Sequence, residues 1–162
     1  MSGAVLPEET GVTYRDNALL KARAGYRASG VLTLGDDSGL EVDALGGAPG
    51  VRSARYGGPG LDDAGRCARL LDALRDVPPA RRTARFQCVL ALVGPDGREE
   101  VVHGVAEGVI LEAPRGAGGF GYDPLFFDPR LGQTFAELTE AEKARVSHRG
   151  RAIAAVRRLL GG

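Results

Sequence analysis

Apolar residues recur at helical spacing in two segments of the first half of the chain. Thr13 to Ala28 is predicted to be a helix, with Thr13 as its N-cap and Ser29-Gly30 as the signal that ends it. Asp62 is predicted to cap a second helix, because the apolar residues that follow it fall on one helical face. That face consists of Ala64, Cys67, Ala68, Leu71 and Leu74.

Two further helices are predicted near the end of the chain. Thr139 and Glu142 have the spacing of a capping box, which opens a short helix. Ser147 is predicted to cap a last helix that ends at Leu160.

Two strands are predicted in the segment between the first two helices. Val31 to Leu34 is a short apolar run, consistent with a buried strand. It leads directly into Asp36-Asp37-Ser38-Gly39, and a second strand, Leu40 to Leu45, alternates apolar and acidic residues. The glycine- and proline-rich segment that follows predicts an irregular loop.

A β-hairpin is predicted in the middle of the chain. Arg85 to Val93 is rich in residues that favour strands, and Glu99 to Leu111 returns as a long strand after a Gly-Pro-Asp-Gly turn. Pro124 to Phe127 is a further short strand. Strands and helices are thus interleaved, which predicts an α/β fold: a mixed, twisted β-sheet flanked by helices in a single domain over residues 1–162.

Composition supports a globular domain and excludes two classes of partner. The 162 residues are 43% hydrophobic and 26% charged, and Lys+Arg equals Asp+Glu at 21 each. With no net charge, the chain has no field to attract nucleic acid or an anionic membrane. It shows no apolar membrane span, and its opening residues lack the regions of a signal peptide. Cys67 and Cys88 form no CxxC pair and suit reduced thiols, so a cytoplasmic location is expected.

Lysine is rare in this chain, which draws attention to the two positions that have it. Of the 21 basic residues, only Lys21 and Lys143 are lysine. An ammonium group is a compact point charge, whereas a guanidinium is a planar fork. In a chain that otherwise uses arginine, a lysine can mark a place where an ammonium is needed.

Paired carboxylates form the first candidate site. Glu8-Glu9 precede the first helix, and Asp36-Asp37 follow the first predicted strand. A carboxylate at a strand end points into the crevice where open α/β sheets bind ligands, and Mg²⁺ prefers oxygen ligands that it shares with substrate phosphates. The alternative, an ordinary turn completed by Ser38-Gly39, has equal weight on local sequence alone.

A glycine-rich loop, GAGGFGYD at residues 116–123, forms the second candidate site. It contains a literal G-x-G-x-x-G, but a dinucleotide site is excluded because Tyr122-Asp123-Pro124 prevents the helix that this motif must open. Instead, Phe120 and Tyr122 could stack on a purine base, with Asp123 accepting from a ring N–H. A plain glycine-rich hairpin loop with a core phenylalanine is the alternative.

Cationic residues at a helix start form the third candidate site. Ser147-His148-Arg149-Gly150 opens the last helix, with Lys143 one turn earlier. Helix N-termini bind anions, and donors from His148 and Arg149 aimed at a base carbonyl would accept a 6-keto purine and repel the 6-amino group of adenine. A capped, solvated helix start is the alternative for each residue taken singly.

Together these segments resemble the inosine-triphosphate pyrophosphatase family, also called HAM1-like proteins or XTP/dITP diphosphatases. The matching stretches occur in the family's order and cover nearly the whole chain; they are EETGVTYRDNALLKA, DDSGLEVDALGGAPGVRSARY, ARFQCVL, GGFGYDPLFF and FAELTEAEKARVSHRGRA. The ordered set favours the functional interpretation of all three candidate sites.

The resemblance implies an ITPase-like domain with a central active-site cleft. It implies a homodimeric enzyme that uses Mg²⁺ to hydrolyse ITP, dITP and XTP to the monophosphate and pyrophosphate. Asp37 matches the catalytic, metal-binding residue and Glu8 matches a second metal ligand. The substrate-binding residues that it implies are Lys21, Ser38, Phe120, Gly121, Tyr122, Asp123, Lys143, His148 and Arg149.

The chain differs from the family at its N-terminus. Family members begin with a strand and a T/S-G-N-x-x-K segment that holds the triphosphate, whereas Met1 to Pro7 alone precede Glu8 here. A domain truncated at its N-terminus is therefore expected. An alternative function follows: a catalytically weak or inactive homologue that still binds nucleotides. A pyrophosphatase for modified pyrimidines is a further alternative, disfavoured by Asp123 with His148-Arg149.

Overall fold

Helices pack against both faces of one antiparallel β-sheet. The computed structural model describes residues 13–161. The strands are β1 (Thr33–Val42), β2 (Thr83–Val93), β3 (Glu99–Ile110), β4 (Phe126–Asp128) and β5 (Gln133–Thr134), and they lie in that order. The helices are α1 (Tyr14–Ser29), α2 (Asp63–Ala73), α3 (Glu140–Val146) and α4 (His148–Leu159). The predicted α/β class, a sheet flanked by helices, is confirmed.

All four predicted helices form, and each has its own local start signal. Thr13 Oγ1 accepts the N–H of Asp16 at 3.1 Å, and Gly30 ends α1 with a φ of 72°. The predicted capping box opens α3. Ser147 Oγ accepts the N–H of Gly150 at 3.0 Å and so caps α4. These signals are local, which explains why they could be recognised in the sequence.

The buried face of α2 differs from the predicted one. Cys67, Leu70 and Leu74 are buried, whereas Ala64 and Ala68 are exposed. Burying an alanine methyl gains far less free energy than burying a leucine, so the leucines decide which face turns inward. The prediction was wrong for the two alanines and missed Leu70.

The predicted strands on either side of Asp36-Asp37-Ser38-Gly39 are one continuous strand. β1 runs through all four residues, with Asp36 opposite Leu90 and Asp37 opposite Val89 of β2. Both sequence-based interpretations, a strand end and a turn, are therefore wrong. Gly39 is a close-approach residue rather than a turn residue, because a Cβ there would lie 2.7 Å from the ring of Tyr14 and would collide with the Gly50 carbonyl.

The hairpin of β2 and β3 agrees with the prediction, and its turn occupies Pro95–Gly97. The ends of other strands differ from prediction by a few residues. β1 stops at Val42 because Asp43–Leu45 forms a 3₁₀ turn that Gly46 closes with a φ of 67°. β5 was not predicted, since two residues are too short to show a pattern.

The two faces of the sheet carry different helices. On one face Ala18, Leu19 and Ala22 of α1 pack against Val89, Ala91 and Val93. On the other face Ala152 and Val156 of α4 pack against Cys88, Leu90 and Leu92. Side chains of a strand alternate between faces, so the register of β1 places Asp37 on the α1 face and Asp36 on the α4 face.

The largest buried cluster joins α2 to the sheet and contains three packed phenylalanines. The ring centroid of Phe126 lies 4.4 Å from that of Phe86 and 4.8 Å from that of Phe135. Cys67 and Cys88 are both buried and unbridged, in agreement with the expected free thiols. Over residues 13–161, no helix has the length and apolar character needed to cross a membrane.

Candidate active site

A large cleft lies on the α4 side of the sheet. Its volume is about 770 Å³, and its walls come from β1, α2, the loop before β4, and the paired helices α3 and α4. Several of the sequence-predicted site residues line it, namely Ser38, Phe120, Gly121, Tyr122, Asp123, Lys143, His148 and Arg149. The fold therefore brings the second and third candidate sites together.

Phe120 presents an exposed aromatic ring at this cleft. Its residue is 64% exposed, and Lys143 Nζ lies 4.3 Å from the ring centroid. The same ammonium forms an ion pair with the carboxylate of Asp123, which also accepts the backbone N–H of Phe120 at 3.0 Å. Asp123 is buried, so its carboxylate fixes both the lysine and the loop that carries the ring.

Tyr122 does not form the second half of a stacking platform. It is 5% exposed, and its hydroxyl donates to the backbone carbonyl of Ser53 at 2.6 Å. The ring belongs to the core beneath the cleft. Of the two aromatic residues predicted to stack on a base, only Phe120 is available at the surface.

Gly121 is held by two residues of α2. Its N–H donates to Asp63 Oδ2 at 2.8 Å, and Cys67 Sγ donates to its carbonyl at 3.4 Å. Asp63 and Cys67 are four residues apart, so they lie on the same face of the helix. α2 thus positions the loop at Gly121, whereas Lys143 contacts it at Phe120.

His148 forms part of the cleft wall as a neutral imidazole. Its ring stacks on Phe86 at a centroid distance of 4.6 Å with 16° between the planes. Burial, with the nearby charges of Lys143 and Arg149, lowers the pKa of His148 from 6.5 to about 4. Its Nδ1 is buried and, within residues 13–161, has no hydrogen-bond partner. Arg149, by contrast, is exposed at the same helix start.

Asp37 lies on the opposite face of the sheet from this cleft. It is 5% exposed; Asn17 Nδ2 donates to its Oδ2 at 3.2 Å, and Lys21 Nζ lies 3.7 Å from its Oδ1. Lys21 also donates to the backbone carbonyl of Asp36 at 2.9 Å. α1 therefore supplies an amide and an ammonium to one buried carboxylate.

The two aspartates do not act as a side-by-side pair. Asp36 lines the cleft, while Asp37 faces α1, because consecutive residues of β1 point to opposite faces. Ser38 returns to the cleft side. The sequence indicated the DDSG segment as part of a site. It could not show that the alternation of side chains along β1 places these residues on two faces of the sheet.

Among the predicted metal ligands, one described carboxylate fits Mg²⁺. In the described part of the chain, no three His, Cys, Asp or Glu side chains converge as a metal site. Mg²⁺ is usually bound through one or two carboxylates, with waters and substrate phosphates completing its shell. Asp37 fits the role of one such carboxylate. Glu8, the other predicted ligand, lies outside the described residues.

Sequence reasoning missed several residues that line the cleft, among them Phe86, Asp63 and Arg66. Phe86 lies in the ARFQCVL stretch, but nothing in its local pattern distinguishes it from other strand residues. Asp63 looks like an ordinary first-turn acidic residue of α2. Arg66 follows it on the same helix, lines the cleft, and has a buried Nε.

Known proteins resemble this chain over most of its length. The Ham1 family matches residues 2–159. A protein of Thermus thermophilus named dITP/XTP pyrophosphatase is 56% identical over 93% of this chain and 72% of its own length. A Shigella flexneri protein of the same name is 52% identical over 90% of this chain and 75% of its own length.

A solved structure of similar shape extends the comparison from sequence to fold. The HAM1 protein from Coxiella burnetii superposes with a TM-score of 0.92 and 44% identity, over 98% of this chain and 81% of that one. The family match spans nearly the entire chain, and identities above 50% accompany it. The chain that builds this cleft is therefore a member of the Ham1 family.

Proposed function

We propose that this protein is a cytoplasmic, Mg²⁺-dependent pyrophosphatase that hydrolyses ITP, dITP and XTP to the nucleoside monophosphate and pyrophosphate. The observation that carries the proposal is the position of two unlike sites beside one strand. An aromatic and cationic cleft lies on one face of β1, and a buried carboxylate with a lysine lies on the other. Family membership and the names of the relatives support the same activity.

The cleft is suited to bind a keto purine. The exposed ring of Phe120 offers a stacking surface, and stacking on an aromatic ring contributes about 1–3 kcal/mol per base. Lys143 and Arg149 can donate to a 6-keto oxygen, but neither can accept a hydrogen bond from an amino group. Adenine in the same position would leave these donors unpaired, which disfavours its binding.

The opposite face is suited to bind the triphosphate, which reaches it from the cleft around β1, the edge strand of the sheet in the described residues. Lys21 lies beside Asp37 and can offset phosphate charge, while Asn17 holds the carboxylate in place. Asp37 would hold Mg²⁺, which would supply positive charge to offset that of the phosphates. Asp37 orients a water molecule towards the α-phosphorus and accepts its proton. The water oxygen forms a bond to this phosphorus as the bond to the bridging oxygen breaks, and pyrophosphate leaves.

The decisive experiment removes the charge of Asp37 without changing its shape. Asp37→Asn should reduce pyrophosphate release from ITP at saturating Mg²⁺ by at least a hundredfold, since the proton acceptor is lost. Asp96→Asn is a matched control, because Asp96 lies exposed in the β2–β3 turn at a φ of 61°, which asparagine tolerates. The control should retain full activity, and the far-UV circular dichroism of both variants should match that of the wild type.

Two results would contradict the proposal. Near-normal turnover by Asp37→Asn would show that this carboxylate is not catalytic. A wild-type protein that binds ITP without releasing pyrophosphate would support the alternative of a nucleotide-binding homologue. Sedimentation of the same preparation tests the homodimer that we propose for the assembled enzyme.

A further inference from the structure

Arg66 is a cleft residue whose side chain is not used by the fold. It lies on α2 and lines the cleft, and its Nε is buried without a hydrogen-bond partner among residues 13–161. A buried donor without a partner lowers stability, so such a group calls for an explanation. The Nε is closed to solvent and therefore to a ligand. The residue as a whole is half-buried and borders the cleft, so its terminal nitrogens are the donors that a ligand acceptor could meet.

Arg82 is a buried arginine with a structural role, and it serves as a comparison for Arg66. It is 4% exposed, and its guanidinium donates to three backbone carbonyls. Its donors join α2 to the strands, and a purely structural role explains them. Arg66 makes no comparable set of contacts within residues 13–161, and it is half-buried where Arg82 is buried.

Arg66 lies on a different element from Lys143 and Arg149, the other cationic residues of the cleft. Its helix contacts the loop at Gly121 through Asp63, whereas Lys143 of α3 contacts the loop at Phe120. A purine stacked on Phe120 with its 6-keto edge towards Lys143 and Arg149 must present another edge to α2. On the edge that holds C2, hypoxanthine has N3 as its acceptor. Neutral xanthine carries a hydrogen on N3 and accepts through the oxygen at C2, and its N3 accepts only after losing that proton.

We propose that Arg66 donates to the C2 oxygen of a bound xanthine base and so makes the enzyme prefer xanthine nucleotides to hypoxanthine nucleotides. This inference rests on the proposed function of the cleft. Hypoxanthine has only a C–H at position 2, so it cannot accept there. The second keto group also makes xanthine the more acidic base, and negative charge on this edge strengthens a hydrogen bond from guanidinium.

The test compares xanthine and hypoxanthine ligands in wild type and variants. Arg66→Ala should lower kcat/KM for XTP roughly ten- to a hundredfold more than for ITP, as expected for the loss of one charge-assisted hydrogen bond. Arg66→Lys keeps the charge but not the planar fork, and should restore only part of the preference. Arg69→Ala is the matched control: it removes an exposed arginine of the same helix and should leave both rates unchanged.

Calorimetric binding of xanthosine and inosine monophosphates makes the test independent of turnover. Wild type should bind the xanthine compound more tightly, and Arg66→Ala should lose that difference. Equal affinities in the wild type, or equal loss for both ligands in the variant, would overturn the inference. If wild type releases no pyrophosphate from either triphosphate, the proposed function fails, yet the two binding constants still decide the role of Arg66. Should Arg66→Ala not fold, Arg66→Gln replaces it in the same measurements.

Discussion

At the scale of single residues, His148 couples the stability of the cleft wall to pH. The folded protein holds its pKa at about 4, mainly because the ring is buried against Phe86. The pKa of a histidine in the unfolded chain is about 6.5. Between these values the unfolded chain binds a proton that the folded protein does not. The free energy of unfolding must therefore fall as pH is lowered through this window.

We expect this coupling to be visible in denaturant titrations. Lowering the pH from 6.5 to 4 should reduce the free energy of unfolding through His148 by about 3 kcal/mol. His148→Gln should remove that part of the slope, whatever it does to stability at neutral pH. His103→Gln is the control, because His103 is exposed on β3 and its loss should leave the slope intact. An unchanged slope in His148→Gln would show that the imidazole is protonated in the folded state.

The two lysines show what residue-level reasoning could and could not establish. Their rarity in an arginine-rich sequence pointed to special positions, and both contact candidate site carboxylates: Lys21 lies beside Asp37 and Lys143 pairs with Asp123. Tyr122 could not be placed in the same way. Its burial depends on the hydroxyl contact with Ser53, which is 69 residues away in the sequence.

At the scale of elements, the start of α4 determines where the cleft donors lie. His148 and Arg149 occupy the first turn, and the side chain of Ser147, which is 3% exposed, caps that turn. Loss of an N-cap frays the first helical turn and lowers stability by about 1 kcal/mol. The donors would then lose their fixed position relative to Phe120.

Ser147→Ala should therefore lower both the thermal midpoint and the preference for ITP over ATP. Thr13→Ala is a matched comparison, because Thr13 caps α1 in the same way but lies far along the chain from the cleft helices. It should lower the midpoint by a similar amount and leave the base preference unchanged. The ratio of kcat/KM for the two triphosphates measures the difference. If both variants keep the wild-type ratio, the first turn of α4 does not position the base.

Elements were predictable where their signals are local. Each helix has a cap within three residues of its start, and the β2–β3 hairpin has its turn sequence between the strands. β1 was divided in two because Ser38-Gly39 has the composition of a turn. What makes the strand continuous is the packing of Tyr14 and Gly50 against Gly39, and no local pattern contains that information.

At the scale of the whole molecule, the cleft is assembled from segments spread over more than a hundred residues of sequence. It combines β1, α2, the glycine-rich loop and the α3–α4 pair around one cavity. The resemblance to a family located most of the loop and helix residues. Arg66 and Asp63 could not be found, since on a polar helix face their sequence pattern is that of solvated residues.

Because several elements meet at this cleft, a ligand bound there should stabilise the whole fold. Inosine monophosphate at a hundred times its dissociation constant should add about 2.7 kcal/mol to the free energy of unfolding and raise the thermal midpoint by several degrees. Adenosine monophosphate at the same concentration should raise it less, since the cleft donors lack an acceptor on the 6-amino group. Equal shifts in thermal melting would show that the cleft does not discriminate at position 6.

The division of Asp36 and Asp37 between two faces sets a rule for how the length of β1 can vary. Leu40 and Val42 anchor the end of the strand in the core, so one residue inserted between Ser38 and Leu40 would rotate the preceding residues by half a turn. Asp37 would then enter the cleft and Asp36 would face Lys21. A deletion of one residue has the same result, whereas a change of two restores the arrangement. An insertion or deletion in this strand therefore preserves the arrangement only if it contains an even number of residues. The exposed turn at Pro95–Gly97 is free of that restriction.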